Sequence, residues 1–349
     1  MIEVPTIGLS KPELDDLFTD VNQEFGISEK HEEATRGGTS YVAINPPGAE
    51  IEASVTRIVY AANQYTEVAS LEEQLVVYED LRCSGAQLPA YAPKVVGRPG
   101  PVGDDGGYVA TNSQFLPIKG ASFYHFGGAI ASLHNASQHI DLSRLQRADP
   151  HKTITDVRGA IDFLMDSPPE RRFAIGDAKV TAEHIATFEN AYHKANELLG
   201  RLFEVAERNG SPLAVVLEDV HDENVRRTAD GTAQLIDLFP LSVAPRALDF
   251  GRVLNDFSPH FGYDPQCADE YLAGYADTIV GGKLPNDEEL ELAADFTQLR
   301  SSLLLGAMAI NHARYGVERN EWMLAQGLHR LEVIEDRHAG WGPLTDKQK

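Results

Sequence analysis

Val216-Leu217-Glu218-Asp219-Val220-His221-Asp222-Glu223-Asn224-Val225, followed by Leu235-Ile236-Asp237-Leu238, is the stretch whose reading decides the fold of this chain. Leu213 to Val216 is an apolar run that reads as a buried strand, which puts Asp219 in the loop just after it. Asn224 offers a hard amide oxygen, and Asp237 ends a second short apolar run. Asp230-Gly231 between the runs is a hairpin signal, so strands joined there would bring Asp219, Asn224 and Asp237 to one end. One carboxylate to orient a hydroxyl, with an amide and a second carboxylate to hold Mg²⁺, is what phosphoryl transfer from a nucleotide needs. The competing reading is a polar turn, for which Asp, His and Asn are also suited.

Working outward, 349 residues with 42% apolar content are enough for two lobes with substantial cores. No apolar run reaches the length of a membrane span; Leu303 to Ile310 is among the longest. Met1-Ile2-Glu3-Val4-Pro5 lacks the order of a secretory signal, so a cytoplasmic location is the expectation. Cys83 and Cys267, without ligand-spaced neighbours, read as reduced thiols, and the Asn135-Ala136-Ser137 sequon as incidental. A formal charge of −23 argues against nucleic-acid and anionic-membrane partners. It suits a cationic small molecule, or simply solubility. Oligomeric state leaves no mark in the sequence.

The first third is strand-rich. Leu14, Leu17, Val21 and Phe25 are spaced as one face of a helix, and Ala53 to Tyr60 alternates as a strand. Ser70 with Glu73 has capping-box spacing for a helix running to Arg82. Strand candidates at Val95-Val96 and Tyr108 to Ala110 flank the loop Gly97 to Gly107. After Pro117 the pattern is helical: Phe123 to His134, Ile154 to Met165, Ala182 to Arg208, Leu248 to Asn255, Ala268 to Ala276, Asp287 to His312 and Glu321 to Glu335. Short strands at Pro212 to Leu217 and Ala233 to Leu238 interrupt it. The expectation is an α+β fold with a strand-rich lobe over 1–112, a hinge at 113–117 and a larger helical lobe over 118–349.

In the first lobe, Gly37, Gly38, Thr39 and Ser40 form a glycine turn whose backbone N–H groups would cover phosphates. Arg57 would reach the α- and β-phosphates, held by Glu73, with Glu72 or Gln74 as alternatives because helix register shifts by one position. The hinge segment with Gln114 and Leu116 would meet the adenine through its backbone. Acids at Asp264, Asp269, Glu270 and Asp287-Glu288-Glu289 would greet a cationic substrate, or form solvated helix faces. No P-loop or dinucleotide-binding glycine motif is present.

These residues, in this order, resemble the aminoglycoside phosphotransferase and choline kinase-like family, small-molecule kinases with the protein-kinase fold. The family pattern His-Gly-Asp-x-His-x-x-Asn, then Ile-Asp-Phe or Ile-Asp-Trp, stands here as Leu217-Glu218-Asp219-Val220-His221-Asp222-Glu223-Asn224, then Ile236-Asp237-Leu238. The resemblance implies Asp219 as catalytic base, Asn224 and Asp237 as Mg²⁺ ligands, His221 as a brace, and Arg57 with Glu73 as the phosphate clamp. It also implies Asp249 as a structural aspartate, and likens Gly127 to His134 to the Leu-x-x-Leu-His helix. Leu217-Glu218 in place of His-Gly, Tyr41 in place of Asn, Leu238 in place of an aromatic and Arg57 in place of lysine depart from the pattern. They bear on efficiency and substrate more than on fold. The implied activity is transfer of the γ-phosphate of ATP to a hydroxyl of a small polar molecule. An inactive nucleotide-binding relative with a regulatory role is the alternative.

Overall fold

The computed structural model describes residues 11–27, 31, 35–37, 40–47, 53–60, 68–91, 95–97, 108–116, 118–119, 121–148, 174–175, 178–179, 182–217, 224–236, 238, 241–251, 253, 265–281, 283–314 and 327. The chain opens with helix α1, Lys11–Phe25. Pro12 is tolerated there because first-turn N–H groups have no helical partner. The helix closes on Gly26, whose φ of 80° lets Ile27 N–H reach back to Asn22 O and Gly26 N–H to Gln23 O.

Strands β1 (Thr35–Gly37), β2 (Ser40–Asn45) and β3 (Ser54–Tyr60) follow, then helix α2 (Val68–Cys83), β4 (Val96–Gly97) and β5 (Tyr108–Gln114). The five strands form one antiparallel sheet in the order β1-β2-β3-β5-β4, with Val42, Arg57 and Thr111 level across three of them. Alternation gives this sheet two faces. Ala43, Ile58, Val96 and Ala110 pack under Phe18 and Val21 of α1. On the same face Asn22, Asn45, Ser54, Thr56 and Asn112 form a closed hydrogen-bonded net, so these buried amides and hydroxyls keep partners. Arg57 therefore points to the opposite face. Helix α2 begins at Val68, so Ser70 lies inside it and is not its cap.

The second lobe starts with β6 (Ile118–Lys119) and α3 (Phe123–Ser137), capped by Ser122, whose hydroxyl accepts from His125 N–H. A 3₁₀ turn (Leu142–Arg144) and the hairpin β7 (Ala174–Ile175) and β8 (Ala178–Lys179) precede α4 (Ala182–Asn209). Then come β9 (Leu213–Val216), β10 (Val225–Arg227), β11 (Ala233–Leu235), β12 (Ser242–Pro245), α5 (Leu248–Gly251), α6 (Pro265–Thr278) and α7 (Asp287–Arg314). Helices α4 and α7 enclose one core, with Phe188, Leu199, Phe296 and Leu303 in it. Helix α3 packs on α6 over a second core that reaches β9, β10 and β11.

Strand pairing corrects the expected hairpin. β9 pairs with β12, whereas β11 pairs with β10, and β10 also pairs with β6. The three-residue β10 and the strand β12 lie outside the expected strands. The helices expected at Ile154 to Met165 and Glu321 to Glu335 fall outside the described residues, Gly327 excepted. Among the described residues no helix is long and apolar enough to cross a membrane.

Candidate active site

Asp249, on α5, is fully buried yet makes three kinds of contact. Its Oδ1 accepts the backbone N–H of Leu217 at 2.9 Å, and its Oδ2 lies 3.0 Å from His134 Nε2. His134 Nδ1 in turn lies 2.8 Å from the Tyr275 hydroxyl, and the Tyr271 hydroxyl donates to Asp249 O at 3.1 Å. A carboxylate only accepts, so Nε2 carries the proton toward Asp249 and Nδ1 accepts from Tyr275 O–H. Burial pushes the Tyr275 hydroxyl well up, which keeps it a donor, although Arg246 opposes this. Side chains from α3, α5 and α6 thus converge on the backbone two residues before Asp219. Ser137 Oγ, on α3, also accepts Val215 N–H at 3.0 Å. The end of β9 is pinned from the side of α3 and α5. Asp219 itself lies outside the described residues, as do Glu218 and His221.

Asn224 is buried at the head of β10, and its carbonyl accepts Ile236 N–H at 2.9 Å. The register continues Val225↔Leu235, Arg226↔Gln234 and Arg227↔Ala233. Val225, Leu235 and Ala233 enter the core against α3. Alternation therefore sets Asn224, Arg226, Gln234 and Ile236 on the other face. Asp237 follows Ile236 in sequence but lies outside the described residues. The hairpin turn is as expected: Asp230 accepts from the Thr228 hydroxyl and the Thr232 N–H, and Gly231 takes φ 91°. The Thr228 hydroxyl first, then the Thr232 amide, hold the Asp230 carboxyl below its usual range. An amide oxygen on Asn224 suits a hard divalent cation. Among the described residues no cluster of three His, Cys, Asp or Glu side chains offers another metal site.

In the first lobe Gly37 pairs with Ser40, which leaves only Gly38 and Thr39, both outside the described residues, to join β1 and β2. Arg57 is half-buried between Val42 and Thr111. Glu73 and Glu72 are both exposed. Gln74 is the side chain turned inward, and its Oε1 accepts Leu241 N–H at 2.7 Å. Helix α2 is thereby tied to the segment just past Asp237. In the hinge segment, Gln114 N–H donates to Ala90 O and Phe115 N–H to Ala53 O. Those two amides are therefore committed to the protein and do not serve an adenine. Leu116 is buried beside them.

The late acids have structural partners. Glu288 binds Arg208 at 2.7 Å and lies 3.6 Å from Arg201, and buried Glu289 accepts from Asn209 and Ser211. Both clamp the start of α7 to the end of α4, where the helix dipole also favours them. Glu270 accepts from Gln266 and Asp269 is exposed, while Asp264 lies outside the described residues.

No protein-family model matches the sequence, and no curated protein does. Solved structures do. An amicoumacin kinase in complex with AMP-PNP, Ca²⁺ and Ami superposes with a TM-score of 0.61 at 13% identity, covering 95% of this chain and 96% of that one. A microcompartment-associated aminopropanol kinase gives 0.59 at 19% identity, covering 94% and 100%. A spectinomycin phosphotransferase in complex with ADP and spectinomycin gives 0.56 at 14%, covering 94% and 99%. The chain has the fold of the small-molecule kinases. In this kinase fold the strand-rich first lobe faces the β10–β11 hairpin across the Gln74–Leu241 bond.

Sequence reading missed three features. The His134–Tyr275 bond joins residues 141 positions apart, and no local pattern marks it. Gln74 was left open among three candidates, and only burial separates them. Arg226 was overlooked because β10 is too short to show alternation.

Proposed function

We propose that this chain transfers the γ-phosphate of ATP to a hydroxyl of a small polar molecule. Asp219 accepts or aligns the hydroxyl proton, and Asn224 with Asp237 holds Mg²⁺, which neutralises charge on the phosphates. Gly37, Gly38, Thr39 and Ser40 cover the phosphates and Arg57 reaches them. Gln74, rather than Glu73, is the α2 side chain that links the first lobe to the metal segment. The hinge at 113–117, with Gln114 and Leu116, borders the base. One observation carries this reading: Asn224 lies directly across from Ile236, so the amide and the residue preceding Asp237 share one end of a hairpin.

Leu217 takes the place of the histidine in the resembled motif, which favours an inactive relative. Yet Leu217 is buried in the core, and its N–H is still held by Asp249. The loop keeps its backbone anchor and loses only a side chain, which supports an active enzyme. Acceptor class is read from charge: a chain at −23 suits an amino alcohol or amino sugar over an anionic acceptor. A cytoplasmic location fits ATP use, and Cys83 and Cys267 form no disulfide. The test is a screen of amino alcohols, amino sugars and aminoglycosides for Mg²⁺-dependent ADP release. With the acceptor found, Asp219→Ala should lower kcat on the order of a thousandfold with nucleotide affinity kept. Near-full turnover by Asp219→Ala removes the assignment.

A further inference from the structure

Arg226 is half-buried on β10, and among the described residues its guanidinium has neither a hydrogen-bond nor an ion-pair partner. That is unusual here. Acids outnumber Lys plus Arg by 53 to 30, and Arg82, Arg144, Arg201 and Arg208 all meet carboxylates. The register sets Arg226 opposite Lys119 on one side and Gln234 on the other. Like charges directly opposite each other destabilise a sheet. Gln234 Oε1, in the same row, is buried without a partner. A cation, a facing lysine position and an unsatisfied amide oxygen in one row, on the face that carries Asn224, leave the floor of the cleft polar and uncompensated.

Strand geometry says what crosses this row. Asn224 stands at the head of β10, and Arg226 lies roughly 6.6 Å further along the same face. There β10 pairs with β6, the strand that follows the hinge. A nucleotide with its phosphates at Asn224 and its base at the hinge must pass over Arg226. The geometry points to the Arg226 guanidinium as the platform on which the nucleotide's base stacks. This rests on the kinase reading. A planar guanidinium stacks on an aromatic face, and a desolvated one gains most from it. The base edges stay free to meet the hinge backbone, so Arg226 sets affinity for the base and not for the phosphates.

Calorimetric titration of the full chain with MgATP and with magnesium tripolyphosphate, which lacks a base, tests this. Arg226→Ala should weaken MgATP about tenfold and leave tripolyphosphate unchanged, with the melting temperature as a fold check. Arg226→Lys keeps charge and stem without the plane; it should lose about as much, and it carries the test if Arg226→Ala does not fold. Unchanged ATP affinity in Arg226→Ala, full recovery in Arg226→Lys, or equal loss for both ligands each overturns the stacking role. If the wild-type chain binds neither ligand, the kinase reading itself falls and the stacking role with it.

Discussion

Asp249 shows how one side chain can serve both stability and geometry. It is a buried carboxylate whose two oxygens are each matched, one by Leu217 N–H and one by His134. Truncation strands both donors in a dry interior, where each unpaired group costs about 1–3 kcal/mol. Asp249→Ala is therefore expected to lose about 3 kcal/mol in urea unfolding, and to lose turnover through a loosened Leu217 in the native fraction. A loss below about 1 kcal/mol would mean water satisfies these groups. The motif order singled out Asp249 as structural, but not its partners. His134 sits on a recognisable apolar helix and Tyr275 on another, and nothing in either pattern says that their side chains meet. At the clamp the sequence allowed Glu72, Glu73 or Gln74; burial of Gln74 and exposure of the two acids decide between them.

Helix packing rests on backbone contact between α3 and α6. A Cβ on Gly127 would lie 2.0 Å from Tyr271 O, and one on Gly274 would lie 1.8 Å from Tyr124 O. Neither neighbour is a flexible side-chain tip, so the helices would have to separate. Separation would also stretch the His134–Tyr275 bond that spans the same pair. Gly274→Ala should therefore destabilise by about 2–3 kcal/mol or more, seen as a lower urea midpoint. An unchanged midpoint would show that the crossing can relax. The long helices were legible, since α1, α4 and α7 have ends within a few residues of those expected from apolar spacing and capping. The short strands were not. β10 has three residues, two of them arginines, and β12 ends in a proline, so neither shows the period that marks a strand.

At the scale of the molecule, the charge of −23 is the dominant long-range term. Several acids are paired across elements, as in Arg208 with Glu288 and Arg144 with Asp80, but the surplus repels itself. Salt screens such repulsion at separations beyond about 10 Å while affecting close pairs less. Raising NaCl from about 0.05 M to about 0.5 M is expected to raise the melting temperature by about 2–5 °C. A fall in melting temperature would place the weight on the surface pairs instead. The two-lobed arrangement was legible as strands first and helices after. The closure between lobes was not, because Gln74 and Leu241 lie 167 positions apart.

By itself the sequence determined the order of chemistry along the chain: a carboxylate after a buried run, an amide, a second carboxylate, and helices whose apolar faces define their own inward sides. Periodicity carries that much because it is a property of each element alone. Only the tertiary structure decided that β9 pairs with β12 and β11 with β10, that Gln74 faces inward, and that Arg226 shares a face with Asn224. Those choices depend on which elements become neighbours, and neighbours are set by contacts between distant segments that close only when both lobes are packed.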